Sequence, residues 1–125
     1  MPLEISFCPT FKALFEKTIA SFIKSRKDVS ESINSLKSGP TGNTYPGFKE
    51  HVVKKIRIAL KEYKIGKRKG LRFIYLYLKD KNKLIPLFIY KKGVFKNENK
   101  IKEKIKHVLP KILIELKNGE CNGSL

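Results

Sequence analysis

Four cations on strand-like segments are the side chains best placed to do chemistry on a phosphate. In the run HVVKKIRIAL, two-residue alternation puts Lys55 and Arg57 on one side and Ile56 and Ile58 on the other. Arg72 opens the next apolar run, and Lys92 follows the last one. In an antiparallel meander the end of one strand returns beside the start of its predecessor, so Arg72 and Lys92 can approach one another. Cations clustered in this way call for a shared anion, and a guanidinium can hold two oxygens of one phosphate. The plainer alternative is a solvated basic strand face.

Other chemistries lack their residues. His51 and His107 are far apart, with no carboxylate or thiol at ligand spacing, so no metal site is expected. No local signature points to a Ser–His–Asp or Cys–His triad. Gly66 and Gly70 bracket Lys67, Arg68 and Lys69, but the GxxxxGK[ST] spacing of a phosphate loop is absent.

Charge supports the polyanion reading. The 125 residues carry 28 Lys and Arg against 11 Asp and Glu, a net charge of +17. Residues 49–106 hold 20 of those cations and only 5 acids, whereas residues 1–48 and 107–125 are nearly balanced. Such an excess opposes compact folding and fits a polyanionic partner. The lysines fall largely on strand-like segments, which argues against a membrane-surface helix. The longest apolar stretch, residues 84–90, is far short of the ~20 residues of a spanning helix. The opening MPLEISFC carries a glutamate and lacks the long apolar core of a secretory signal. Cys8 and Cys121 sit near opposite ends, with no CxxC and no expected disulfide framework. These features predict one small, soluble, cytoplasmic domain over residues 1–117, with a flexible tail over 118–125.

The elements that must position the cations follow from periodicity. Leu3, Ile5 and Phe7 alternate with polar neighbours as a half-buried strand. Pro9 and Thr10 predict a helix start with Thr10 as N-cap, and Phe11, Leu14, Phe15, Thr18, Ile19, Phe22 and Ile23 form its apolar stripe. Asp28 with Glu31 resembles a capping box for a second helix through Val29, Ile33 and Leu36, completing a helical hairpin. Residues 39–48 (GPTGNTYPGF) are turn chemistry. Three strands are expected next: the one around Val52 to Leu60, then LRFIYLYL, then LIPLFIY, the last two joined by a polar turn over 79–83. Pro86 predicts an edge position or a bulge in the third. Ile101, Ile105, Val108, Ile112 and Leu116 mark a C-terminal helix, which Pro110 is expected to kink or split. The order predicts an α+β domain: an N-terminal strand and helical hairpin, a three-stranded antiparallel meander completing one sheet, and a C-terminal helix, with the helices on one sheet face.

The run GKRKGLRFIY over residues 66–75 resembles the GKRGGxRVIY segment of the RelE/HigB superfamily of bacterial and archaeal toxins. The hairpin, the strand LIPLFIYKK and the lysine-rich helix after it match that family's order, and Lys55-Ile56-Arg57 resembles its Lys-x-Lys or Lys-x-Arg strand. The similarity covers about residues 50–117 and is architectural over 1–48. It implies a RelE/ParE-like fold and a ribosome-dependent mRNA endonuclease that needs neither metal nor other cofactor. In the implied reaction a ribose 2′-OH attacks the adjacent phosphate, leaving a 2′,3′-cyclic phosphate and a free 5′-OH. The matched catalytic residues are Arg72 on the scissile phosphate, Lys92 in an electrostatic or acid role, and the basic pair Lys55 and Arg57. Like charges crowding Lys55 disfavour its ammonium form, which would suit a general base or acid. Lys54, Lys67, Arg68, Lys69 and Lys91 are the expected RNA-binding cations, with Phe95 stacking on a base. Many members carry a tyrosine or histidine a few residues after the last strand; here that stretch is Gly93-Val94-Phe95-Lys96, and Tyr90 comes earlier. The implied partners are the ribosome, its mRNA and an acidic antitoxin protein. Two alternatives keep the basic face without the chemistry: a ParE-like inhibitor of a protein target such as DNA gyrase, and a non-catalytic RNA- or ribosome-binding module.

Overall fold

The computed structural model describes residues 3–125. Strand β1 (Glu4–Ile5) leads into helix α1 (Pro9–Ile19), and helix α2 (Arg26–Asn34) follows a short 3-10 segment. Strands β2 (Asn43–Thr44), β3 (Val52–Ile58), β4 (Leu71–Leu78) and β5 (Lys83–Lys91) precede helix α3 (Glu98–Lys117). They form one mixed five-stranded sheet in the order β1-β5-β4-β3-β2, with β1 parallel to β5 and every other pair antiparallel. The α+β class, the N-terminal strand, the long first helix, the antiparallel strands and the C-terminal helix are those expected from the sequence.

The differences have local causes. Strand β2 lies inside the stretch read as turn; it pairs with β3 through Asn43–Lys55 and Thr44–Lys54. Gly42 makes this approach possible: its φ is +105°, and a Cβ there would stand 2.2 Å from the Lys55 carbonyl oxygen. In α1 the N-cap is Cys8, with Pro9 at the first helical position, so Thr10 does not cap. Its N–H and its hydroxyl both donate instead to the Glu115 carboxylate, which brings an anion from α3 to the start of α1. The apolar stripe ends at Ile19, because the backbone turns out of helix at Phe22 and leaves Ile23 58% exposed. Helix α2 starts at Arg26, ahead of Asp28, and its N-cap Ser25 makes no side-chain cap bond. Pro110 does not split α3, which runs as one 20-residue helix.

Pro86 is tolerated for two reasons. The two residues of β1 pair β5 only at Lys83 and Leu84, so Pro86 lies beyond them. The β4 register also slips between Ile74, opposite Phe88, and Tyr75, opposite Pro86, which bulges β5 at Leu87. Both faces of the sheet are covered, contrary to the expected one-sided layer. Phe73 meets Phe11 of α1 edge-on at 5.9 Å, while Phe88 and Tyr90, on the other face, meet Phe95 just before α3.

A disulfide joins Cys8 to Cys121 across 113 residues, against the expectation of none. The segment 118–125 is therefore held where a frayed tail was expected. Phe7 and Asn122 exchange both backbone hydrogen bonds, at 2.6 and 3.1 Å, and Lys12 Nζ donates to Asn122 Oδ1 at 3.0 Å. No helix among the described residues is long and apolar enough to cross a membrane.

Candidate functional site

The β3–β4 register gathers three of the four expected catalytic cations. Arg57 stands opposite Arg72, and Lys55 opposite Ile74, so all three project from one face. Tyr90 stands opposite Arg72 on the other flank, on that same face. Lys92 lies just past the end of β5, where its N–H donates to the Gly70 carbonyl at 3.0 Å and its side chain is exposed.

The neighbours differ in what they can reach. Arg57 is exposed, whereas Arg72 is only 5% exposed. Arg72 Nη1 donates to the Lys67 carbonyl at 2.9 Å, and Nη2 donates to that of Arg68 at 2.8 Å. A longer contact runs from Nη1 to the Leu71 carbonyl, 3.4 Å away. The guanidinium thus clamps the 3-10 turn Lys67–Lys69 that carries three of the expected RNA-binding cations. Gly70 closes the turn against β3: a Cβ there would stand 2.2 Å from the Ile58 carbonyl oxygen. Burial, and then the Arg57 charge, pull the Arg72 pKa below its ordinary value, against the pull of the Tyr90 and Tyr45 phenols.

The remaining expected contacts divide between locations. Lys67, Arg68 and Lys69 are exposed on their turn, and Lys91 joins Arg68, Lys69 and Lys64 around a groove of about 340 Å³. Lys54 is half-buried opposite Tyr75, on the face away from Lys55 and Arg72. Phe95 packs edge-on against Tyr90 at 4.8 Å and against Phe88 at 6.2 Å, so its ring belongs to the core as much as to solvent.

Three residues complete the cluster without having been foreseen in it. Glu98, in the first turn of α3, brings a carboxylate oxygen to 3.5 Å from Lys55 Nζ. Lys55 therefore has an anionic partner and is not crowded by cations alone. The Lys55 ammonium also lies 5.3 Å over the Tyr45 ring. The Tyr45 hydroxyl is buried and, among the described residues, has no partner at hydrogen-bond geometry. Burial pushes its pKa well up, with the nearby Tyr90 and Glu98 adding to the effect. Burial likewise raises Tyr90. Tyr90 shares the alternation of the strand and could have been read from it. Tyr45 and Glu98 arrive through β2 and α3, whose placement on this face is tertiary.

These features define a small α+β domain with a cation-rich sheet face bordered by two buried phenols and one carboxylate. No protein-family model matches the chain, and no curated protein matches it.

Proposed function

We propose that this chain is a RelE/HigB-like toxin, a ribosome-dependent mRNA endonuclease that works by 2′-OH attack. The observation that carries the reading is the grouping of Lys55, Arg57 and Arg72 on one sheet face. Exposed Arg57 is the cation best able to meet a phosphate that loses an oxygen at the scissile bond. Arg72 supports the site by holding the Lys67–Lys69 turn, with three of its five N–H groups given to carbonyls. The net +15 of residues 49–106 suits ribosomal RNA and, in the resting state, an acidic antitoxin. Action on ribosomes implies the cytoplasm, a compartment in which a disulfide such as Cys8–Cys121 is unusual.

The commitment of Arg72 to backbone carbonyls favours one second reading, a basic RNA- or ribosome-binding module without cleavage. Product ends separate the two. Purified protein added to ribosomes programmed with mRNA should leave 2′,3′-cyclic phosphate and 5′-hydroxyl termini, and its induction alone should arrest a bacterial host. Tight ribosome binding with intact mRNA would establish the module. Absence of both binding and cleavage by folded protein would overturn both readings.

A further inference from the structure

Among the described residues, the cation that pairs with a carboxylate on this face is Lys55, and its partner is Glu98. Glu98 is the only acidic residue between Asp80 and Glu103. Its position is set by the start of α3, where the Asn97 side-chain oxygen accepts from the Lys100 N–H at 3.1 Å. That cap delivers the carboxylate to Lys55 at 3.5 Å, beside Tyr45 and Tyr90. The Glu98 side chain is 61% exposed and that of Lys55 only 18%, so the carboxylate sits at the mouth of the cluster with the ammonium behind it.

Attack by a 2′-hydroxyl needs a group to accept its proton. The guanidinium groups of Arg57 and Arg72 have no acceptor to offer. Burial holds Tyr45 and Tyr90 in the protonated form at neutral pH, where they donate and do not accept. Lys55 is engaged as the cation of the ion pair. Among the described residues, Glu98 is the carboxylate that meets these cations and can accept the proton. The neighbouring Tyr45 hydroxyl is buried and, among the described residues, has no partner at hydrogen-bond geometry, which costs stability, as is common where polar groups serve a site rather than packing.

Resting on the ribonuclease reading above, we infer that Glu98 is the general base of that reaction, oriented by Lys55. The 2′-OH proton passes to the Glu98 carboxylate while the O2′–P bond forms and the P–O5′ bond breaks. The departing 5′-oxygen takes a proton from water, and the hydroxide left behind takes the proton from the Glu98 carboxyl, which restores the carboxylate. General-base catalysis of this kind contributes roughly a hundred- to ten-thousand-fold in rate.

The test compares the full chain with Glu98→Gln and Glu98→Ala in single-turnover cleavage on programmed ribosomes. Both variants should lose at least about a hundred-fold in rate. They should keep the parent's melting temperature and its affinity for a 2′-O-methyl RNA that cannot be cleaved. Added formate should restore part of the Glu98→Ala rate, because a small carboxylate fits the vacated space, and should leave Glu98→Gln unchanged. Glu98→Asp, which keeps the carboxylate one methylene further back, should retain part of the activity. If the parent cleaves and Glu98→Gln cleaves within a few-fold of it, Glu98 is not the base and the ribonuclease reading stands. A loss that formate does not restore, accompanied by a lower melting temperature, assigns Glu98 to a structural ion pair and overturns the inference. A parent that binds ribosomes without cleaving overturns the reading itself, and this inference with it.

Discussion

Arg57 and Arg72 face each other across β3 and β4, and only Arg57 is turned to solvent. Two like charges at a directly opposed pair repel. The arrangement is held because the Arg72 guanidinium is drawn away onto the carbonyls of Lys67 and Arg68. One sequence pattern thus produces two different side chains: one held by the fold, the other available to a ligand.

The first prediction follows from that division. Arg72→Ala should lower stability by about 3 kcal/mol, because charge-assisted bonds are lost and two carbonyls of the turn lose their donor. Arg72→Lys should recover only part, since one ammonium cannot reproduce the fork that spans two carbonyls. Arg57→Ala should leave stability within about 0.5 kcal/mol, as expected of an exposed substitution. Thermal and denaturant melts of the three variants check this, and an unchanged Arg72→Ala melt would remove the clamp.

The parts of the site legible in the sequence are those set by local periodicity. Alternation alone put Lys55 and Arg57 together and the meander pointed to Arg72 beside Lys92, whereas it is the β3–β4 register that sets Arg72 opposite Arg57. The fold was legible for the same reason, with its N-terminal strand, long helix, antiparallel strands and C-terminal helix each carrying its own period. Glu98 was not legible, because its meeting with Lys55 depends on how α3 crosses the sheet. Tyr45 was hidden by the Gly- and Pro-rich run around it, in which a two-residue strand has no visible period. Ile23 was misplaced because the apolar spacing continues through Phe22 while the backbone does not. The Cys8–Cys121 pair has no spacing signal, since 113 residues separate its members.

The second prediction concerns the exposed turn. Binding to RNA or ribosomes should fall steeply with salt, because contacting cations release condensed counterions. Replacing Lys67, Arg68 and Lys69 together by alanine should flatten the log–log salt slope by about two to three units, near one per phosphate contact. Within the turn the Arg72 clamp grips backbone carbonyls and no side chain, so the triple variant should melt near the parent. An unchanged slope would move the contact surface off this turn.

The third prediction concerns the Cys8–Cys121 link. Reducing it, or introducing Cys121→Ala, should cost about 2–5 kcal/mol, as expected when a cross-link closes a long loop. Cys8 is fully buried and serves as the N-cap of α1, so substitution is made at Cys121, where less packing is disturbed. Hydrogen exchange at the Phe7 and Asn122 amides should accelerate on reduction, because the C-terminal segment would then rely on its backbone bridge and on Lys12. Protection unchanged by reduction would mean that the bridge holds the segment without the link.

The fourth prediction separates two buried phenols by what they bond. Tyr75 donates its hydroxyl to the Thr41 carbonyl, whereas the Tyr45 hydroxyl is buried and, among the described residues, has no partner at hydrogen-bond geometry. Tyr75→Phe should therefore cost about 1 kcal/mol, and Tyr45→Phe should cost nothing or stabilise, since it removes an unsatisfied group. Alkali gives the second half of the test. Burial raises Tyr45, Tyr75 and Tyr90 above the ordinary tyrosine value of 10.0. The unfolded chain then releases its phenolic protons first, so stability is complete below pH 10 and drains as pH rises beyond it. Each such phenol drains at most about 1.4 kcal/mol per pH unit while it stays protonated in the fold. Denaturant melts from pH 8 to about 11.5 should show the decline setting in near 10, with a shallower slope in each Tyr→Phe variant. A slope unchanged in Tyr45→Phe would mean that its hydroxyl ionises as readily in the fold as in the unfolded chain, and that solvent reaches it.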